Sequence, residues 1–208
     1  MPTLAGVVVG DDGLARCPWG DAPSDYRAYH DTEWGRPVRG DRAIFERLSL
    51  EAFQSGLSWL TILRRRSTLR AAFRDFDVDV LAAYGDADVE RLLADPGIIR
   101  HRGKVEAVLH NARVLADWQA DEGPDALDRL VWSYAQDLRP PDTLDDVPAA
   151  TPQSRELADR LRRRGWRFIG PTTAYAALQA MGVVDDHLAG CHARDRRPRS
   201  RACGVDAR

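Results

Sequence analysis

The stretch "DPGIIRHRGKVEAV", residues 95–108, decides how the chain is read. Pro96-Gly97 is a strong turn signal, and Lys104 opens a run with helical spacing of apolar residues. That run, "KVEAVLHNARVLADW" (104–118), places Val105, Val108, Leu109, Ala112 and Leu115 on one face. Upstream, "DVERLLAD" (88–95) is a second helical pattern, with Asp88 as its expected N-cap and Pro96-Gly97 as its stop. Two helices are thus joined by a short Gly-containing connection.

Such a connection resembles a stretched helix-hairpin-helix. Backbone N–H groups at Gly97 and at the start of the second helix can hold a phosphate oxygen, and Arg102, Gly103 and Lys104 extend that surface. A plain turn between two core helices fits the same pattern.

Outward from the hairpin the chain reads as all-α. Ile44, Phe45, Leu48, Ala52, Leu57, Leu60 and Leu63 recur near helical spacing, with Gly56 expected to interrupt the run. "SRELADRLRRRG" (154–165) has Ser154 as its expected cap and Gly165 as its stop, and "TAYAALQAMG" (173–182) ends in Gly182. No strand alternation of useful length and no tandem repeat is visible. Residues 194–208 are Arg-rich without apolar periodicity and are expected to be mobile.

With 208 residues, 44% hydrophobic and 30% charged, the chain has the composition of a globular protein with a real core. No run approaches the ~20 apolar residues of a membrane span, and "LAGVVVG" lacks the features of a secretion signal. Cys17, Cys191 and Cys203 are too few and odd in number for a disulfide framework, so a reducing cytoplasm is expected. The net charge of −2 excludes a strongly basic nucleic-acid binder. The Arg clusters at 64–66, 100–104 and 162–167 read most simply as solvated helix ends.

Two further constellations carry chemistry. Cys17 with His30, and His187 with Cys191, make a Cys2His2 set suited to one structural zinc ion, and the gap in "HLAGC" lets two side chains on one turn reach one metal. Two unrelated buried pairs fit the same spacing. The other is Glu51, a carboxylate inside the apolar run "LSLEAFQSGLSWLTIL" (48–63), near Tyr26, Tyr29, Trp34 and Trp59 in sequence. A core does not need that charge. A pocket that sandwiches an extruded base between rings and accepts from its edge does.

"CPWG", "YHDTEWGRP", "GLSWLTIL", "GIIRHRGK", "FIGPTTAYAALQAMG" and "DDHLAGC" resemble, in order and spacing, the DNA-3-methyladenine glycosylase I family, over about residues 16–192. The resemblance implies a two-lobed helix-hairpin-helix glycosylase. One lobe would span 1–40 plus 139–193, stapled by zinc on Cys17, His30, His187 and Cys191. The other, 41–138, would carry the hairpin. It implies a monomer acting on alkylated bases in double-stranded DNA. The enzyme would flip the base and hydrolyse the N-glycosidic bond of 3-methyladenine, leaving an abasic site without lyase activity.

In that reading Glu51 is the catalytic and base-edge acceptor, Tyr29, Trp59 and Tyr26 bind the base, and Gly56-Leu57 plugs the gap left in the duplex. His192 and Cys203 fall outside the pattern. So does the Asp that usually follows the hairpin, for which Glu106 and Asn111 are the nearest polar residues. Three rivals stand beside it: a same-fold glycosylase for another alkylated purine, a non-catalytic DNA-binding module, and a zinc-stabilised interaction domain.

Overall fold

The structure is a computed structural model that describes residues 6–136 and 138–194. Nine α-helices stand among the described residues, with one small hairpin, β1 (Val8–Val9) antiparallel to β2 (Ala15–Arg16). That hairpin escaped a periodicity search because each strand has two residues. The helices are α1 (Ser24–Thr32), α2 (Asp41–Gln54), α3 (Trp59–Ala72), α4 (Val78–Ala82), α5 (Asp86–Ala94), α6 (Arg102–Glu122), α7 (Ala126–Trp132), α8 (Pro152–Arg163) and α9 (Pro171–Ala180). No described helix is long and apolar enough to cross a membrane.

The apolar stripe on α6 is buried throughout, as its spacing requires. Its neighbours in one continuous core include Phe45, Leu48 and Phe53 from α2, Leu157 and Leu161 from α8, and Leu178 from α9. A second, smaller cluster joins the two ends of the chain through Cys17, Leu188, Cys191 and Ala193. Gly56 does break the long run: at φ +78° it turns the backbone out of α2. Ser58 then caps α3 by accepting from the Thr61 N–H.

Two caps differ from expectation. Asp88 is not the N-cap of α5; Gly85 is, and the Asp88 carboxylate reaches back to the Gly85 N–H at 3.1 Å. Likewise Thr151 caps α8, with Ser154 three residues on making the reciprocal bond. In each case the expected cap is the third residue of the helix, whose side chain bonds back to the N-cap backbone, and polar residues favour both positions. Of the Arg-rich tail only Arg194 is among the described residues; 195–208, including Cys203, lie outside them.

The hairpin between α5 and α6 is closely held. Asp95 accepts from the Gly97 N–H at 2.7 Å, closing the turn. Arg65 of α3 donates to the Pro96 and Gly97 carbonyls at 3.1 and 3.0 Å, and Thr68 donates to Gly97 at 2.7 Å. Elsewhere Gly182 meets the segment after α1 so closely that a Cβ there would lie 2.6 Å from the Gly35 carbonyl oxygen. This contact brings the C-terminal "DDHLAGC" segment against the N-terminal histidine.

Candidate active site

A cavity of about 370 Å³ opens between two walls. One wall comes from the N-terminal segment, α1, α2 and the start of α3: Trp19, Tyr26, Tyr29, Trp34, Glu51, Gln54 and Trp59. The other comes from the segment before α8 and from α9 and the loop after it: Leu144, Val147, Ala176, Gln179 and Asp186.

The aromatic wall is built ring on ring. Trp19 meets Tyr26 at 5.9 Å and Trp34 at 5.0 Å, both edge to face. Tyr29 lies 5.4 Å from Trp59. Such contacts fix flat surfaces without filling the space between them. Tyr26 is anchored further by accepting from the Leu60 N–H at 3.0 Å. The indole N–H of Trp59 is buried and has no partner among the described residues.

Glu51 sits on α2 and is 6% exposed. Burial pushes its carboxyl up to about 8, opposed only by the positive charge of Arg47. Burial and then the nearby Glu51 push the Tyr29 phenol up as well. Glu51, Tyr29, Tyr26 and Trp59, picked from the sequence, are therefore brought into one cavity. Sequence reasoning missed Trp19, Gln54, Gln179 and Asp186. Gln54 could have been found, since it lies three residues after Glu51 on one helical face. Asp186 stands in the shared segment "DDHLAGC", and nothing in the sequence says that it turns inward.

Leu57 is 42% exposed at the tip between α2 and α3, two residues from Trp59, and Gly56 beside it faces open space. Gly97 and Gly103 lie on the hairpin and the first turn of α6. Arg102 is exposed and paired with Glu90 at 2.7 Å and Glu106 at 3.5 Å. Lys104 departs from expectation. Its ammonium is buried and donates to the Phe53 and Ser55 carbonyls at 2.8 and 2.6 Å. It satisfies open carbonyls at the C-terminus of α2, as helix ends require, and does not face a phosphate. Asn111 is structural as well, exchanging two hydrogen bonds with the Arg167 backbone. The 64–66 cluster is spoken for within the protein: Arg64 pairs with Asp25, Arg66 with Glu33, and Arg65 holds the hairpin.

Cys17, His30 and Cys191 place their ligand atoms within 4.8 Å of one another, all buried. The hydrogen bond between the two thiols pulls Cys191 down, with help from His30, and pushes Cys17 up. His187 stands outside that triplet of atoms, but its ring centroid is 5.1 Å from that of His30 and its Nε2 is buried without a partner among the described residues. Each histidine has its Nδ1 on a carboxylate: His30 on Asp31 at 2.8 Å, His187 on Asp185 at 2.9 Å. Carboxylates in that position orient metal-bound histidines. The cradle is tight, since a Cβ on Gly20 would lie 2.4 Å from the His30 ring and one on Gly35 2.6 Å from the His187 ring. His192 is less incidental than its sequence position implied, because it shares Asp31 with His30 and Arg16.

A helical protein whose rings close on a buried carboxylate, beside an exposed hairpin, is a receptor for a flat hydrogen-bonding ring carrying positive charge. The comparisons with known proteins give this receptor its family. The methyladenine glycosylase model matches residues 19–195. The DNA-3-methyladenine glycosylase 1 of Escherichia coli is 41% identical over 181 residues, covering 86% of this chain and 96% of that one. The DNA-3-methyladenine glycosylase of Haemophilus influenzae is 40% identical, covering 85% and 96%. Among solved structures, a 3-methyladenine DNA glycosylase I superposes with TM-score 0.81 at 42% identity, covering 88% of this chain and 100% of that one. A variant of such an enzyme in complex with 3-methyladenine superposes with TM-score 0.80 at 32% identity, covering 86% and 96%. The chain belongs to the methyladenine glycosylase family.

Proposed function

We propose that this chain is a base-excision repair glycosylase that takes 3-methyladenine out of alkylated DNA by flipping it into the aromatic cavity and hydrolysing its N-glycosidic bond. The observation that carries the reading is Glu51, a buried carboxylate with no hydrogen bond or ion pair among the described residues and only the charge of Arg47 near it, set among Tyr29, Trp59 and Trp19 in a cavity of about 370 Å³.

The chemistry asks little acid–base work of the protein. Methylation at N3 makes adenine a cation and hence a good leaving group. The site has to hold a flipped, charged ring. Tyr29, Trp59 and Trp19 offer π faces, each worth ~1–2 kcal/mol to a desolvated cation. Glu51 accepts from the base edge. Burial favours the protonated form of Glu51; an arriving cationic ring supplies the opposite charge and favours its carboxylate form. Unmethylated adenine brings no such charge and leaves poorly.

The finer parts of the reading have their own support. A helix-hairpin-helix lobe would grip the backbone at Gly97, Arg102 and Gly103, with Leu57 entering the gap left by the flipped nucleotide. Zinc would be held by Cys17, His30, His187 and Cys191, joining the chain ends. The two thiols, the orphaned His187 Nε2 and the carboxylate-oriented histidines fit that ion, which supplies structural cross-linking rather than chemistry on the substrate. Lyase chemistry needs an amine nucleophile, and Lys104, the single lysine of the sequence, has its ammonium buried on backbone carbonyls. We take the enzyme to act as a monomer in the cytoplasm.

The test is chromatographic release of free bases from methylated duplex DNA by wild type and Glu51→Gln. The expected result is 3-methyladenine from wild type and a clear loss in the variant. Equal release by both would remove Glu51 from its role. No release by folded, zinc-loaded wild type would leave a DNA-binding module as the better reading.

A further inference from the structure

The cavity contains a second carboxylate. Asp186 lies in the loop after α9 and is nearly buried. Its Oδ2 accepts from the Tyr175 hydroxyl and from Gln179 Nε2 at 2.7 Å. Both donors fall on one oxygen, Oδ1 has no hydrogen bond among the described residues, and the residue lines the cavity. Tyr175 and Gln179 both come from α9, which packs on α2, so the carboxylate rests on rigid structure rather than on a free loop.

Glu51 alone leaves a problem in the proposed reaction. Before cleavage the positive charge sits on the methylated purine. As the C1′–N9 bond breaks, its electron pair stays with the purine, which departs neutral. The positive charge moves to C1′ of the sugar. A water oxygen then bonds to C1′ and gives up a proton to solvent. A negative charge that contacts only the base stabilises the starting cation more than the transition state. That improves binding without accelerating cleavage. Acceleration needs a fixed negative charge where the positive charge is going.

We propose that Asp186 is that charge, a second catalytic residue that faces the sugar of the flipped nucleotide and stabilises the cation developing at C1′. Glu51 and the rings receive the base from the N-terminal wall; Asp186 stands on the wall built by α9. Tyr175 and Gln179 act through it, as positioning residues that hold Oδ2 while Oδ1 faces the reacting centre.

This inference rests on the glycosylase reading, and the experiment separates the two. Single-turnover excision of 3-methyladenine from methylated duplex is compared for wild type, Asp186→Asn and Tyr175→Phe, beside binding to a duplex with a stable abasic-site analogue. Excision by wild type is the control for the glycosylase reading itself. Asp186→Asn keeps the shape and can keep an amide oxygen on both donors, Tyr175 and Gln179, while removing the charge. We expect its cleavage rate to fall about 100-fold, with abasic-duplex affinity within about threefold of wild type. Tyr175→Phe, which keeps the charge but loosens it, should fall less. Wild-type excision with an Asp186→Asn rate within about threefold would overturn the proposal. So would loss of abasic-duplex binding in step with rate, since that marks a structural role. If Asp186→Asn does not fold, an unchanged rate in Tyr175→Phe and in Gln179→Leu would overturn it instead.

Discussion

Replacing Glu51 by Gln should make the protein more stable as well as less active, and the gain should depend on pH. The folded Glu51 carboxyl is pushed up to about 8, against an ordinary 4.5. A raised carboxyl means that the folded state keeps a proton which the unfolded state has lost. The folded chain therefore binds more protons between pH 4.5 and 8, and its stability falls as pH rises through that window. Below 4.5 both states are protonated and the penalty vanishes; above 8 it is complete. At ~1.4 kcal/mol per pH unit the full penalty is at most roughly 5 kcal/mol, with roughly 3 reached at pH 7. Gln has a similar shape and no charge to bury, so it escapes the penalty. For a chain of this size roughly 3 kcal/mol corresponds to about 6–12 °C in melting temperature. The assay is paired denaturation of wild type and Glu51→Gln from pH 5.5 to 8.5. Taking the difference at each pH cancels effects common to both, such as protonation of the Cys17 and Cys191 thiols. The gap should widen steadily up to about pH 8 and then level off. A difference that stays constant across the range would refute the idea that Glu51 is held at a cost to the fold.

Two further expectations follow from the same geometry. Cys17→Ser should lose metal and melt at lower temperature, because one of the buried ligands joining the chain ends is gone; stoichiometric zinc at an unchanged melting temperature would refute the ligand assignment. Lys104→Met should cost about 1–3 kcal/mol of stability by leaving the Phe53 and Ser55 carbonyls unpaired. It should leave the salt dependence of DNA binding unchanged, and a salt slope reduced by about one would show that the ammonium meets a phosphate after all.

The sequence alone determined the all-α class, the helical stretches around α2, α5, α6, α8 and α9, the break at Gly56 and the turn at Pro96-Gly97, because periodicity and backbone restriction act over a few residues; α4 and α7 are too short to show that periodicity, and α1 carries few apolar residues. It also pointed to Glu51, since a charge within an apolar run is an anomaly that needs no coordinates to notice. The motifs shared with the glycosylase family were equally plain in one dimension. What the tertiary structure decided is how distant groups meet. Lys104 and Arg65 stand in basic stretches that read alike, yet one closes the end of α2 and the other clamps the hairpin, because the carbonyls they satisfy belong to other segments. Asp186 carries no signal of its place in the sequence and becomes part of the cavity wall where Tyr175 and Gln179 hold it. Trp19 reaches the cavity only when the N-terminal segment folds back beside α1 and the C-terminal loop. Local spacing encodes which face of a helix is apolar; it does not encode which remote donor will satisfy a buried polar group, and in this protein those long-range pairings shape the site.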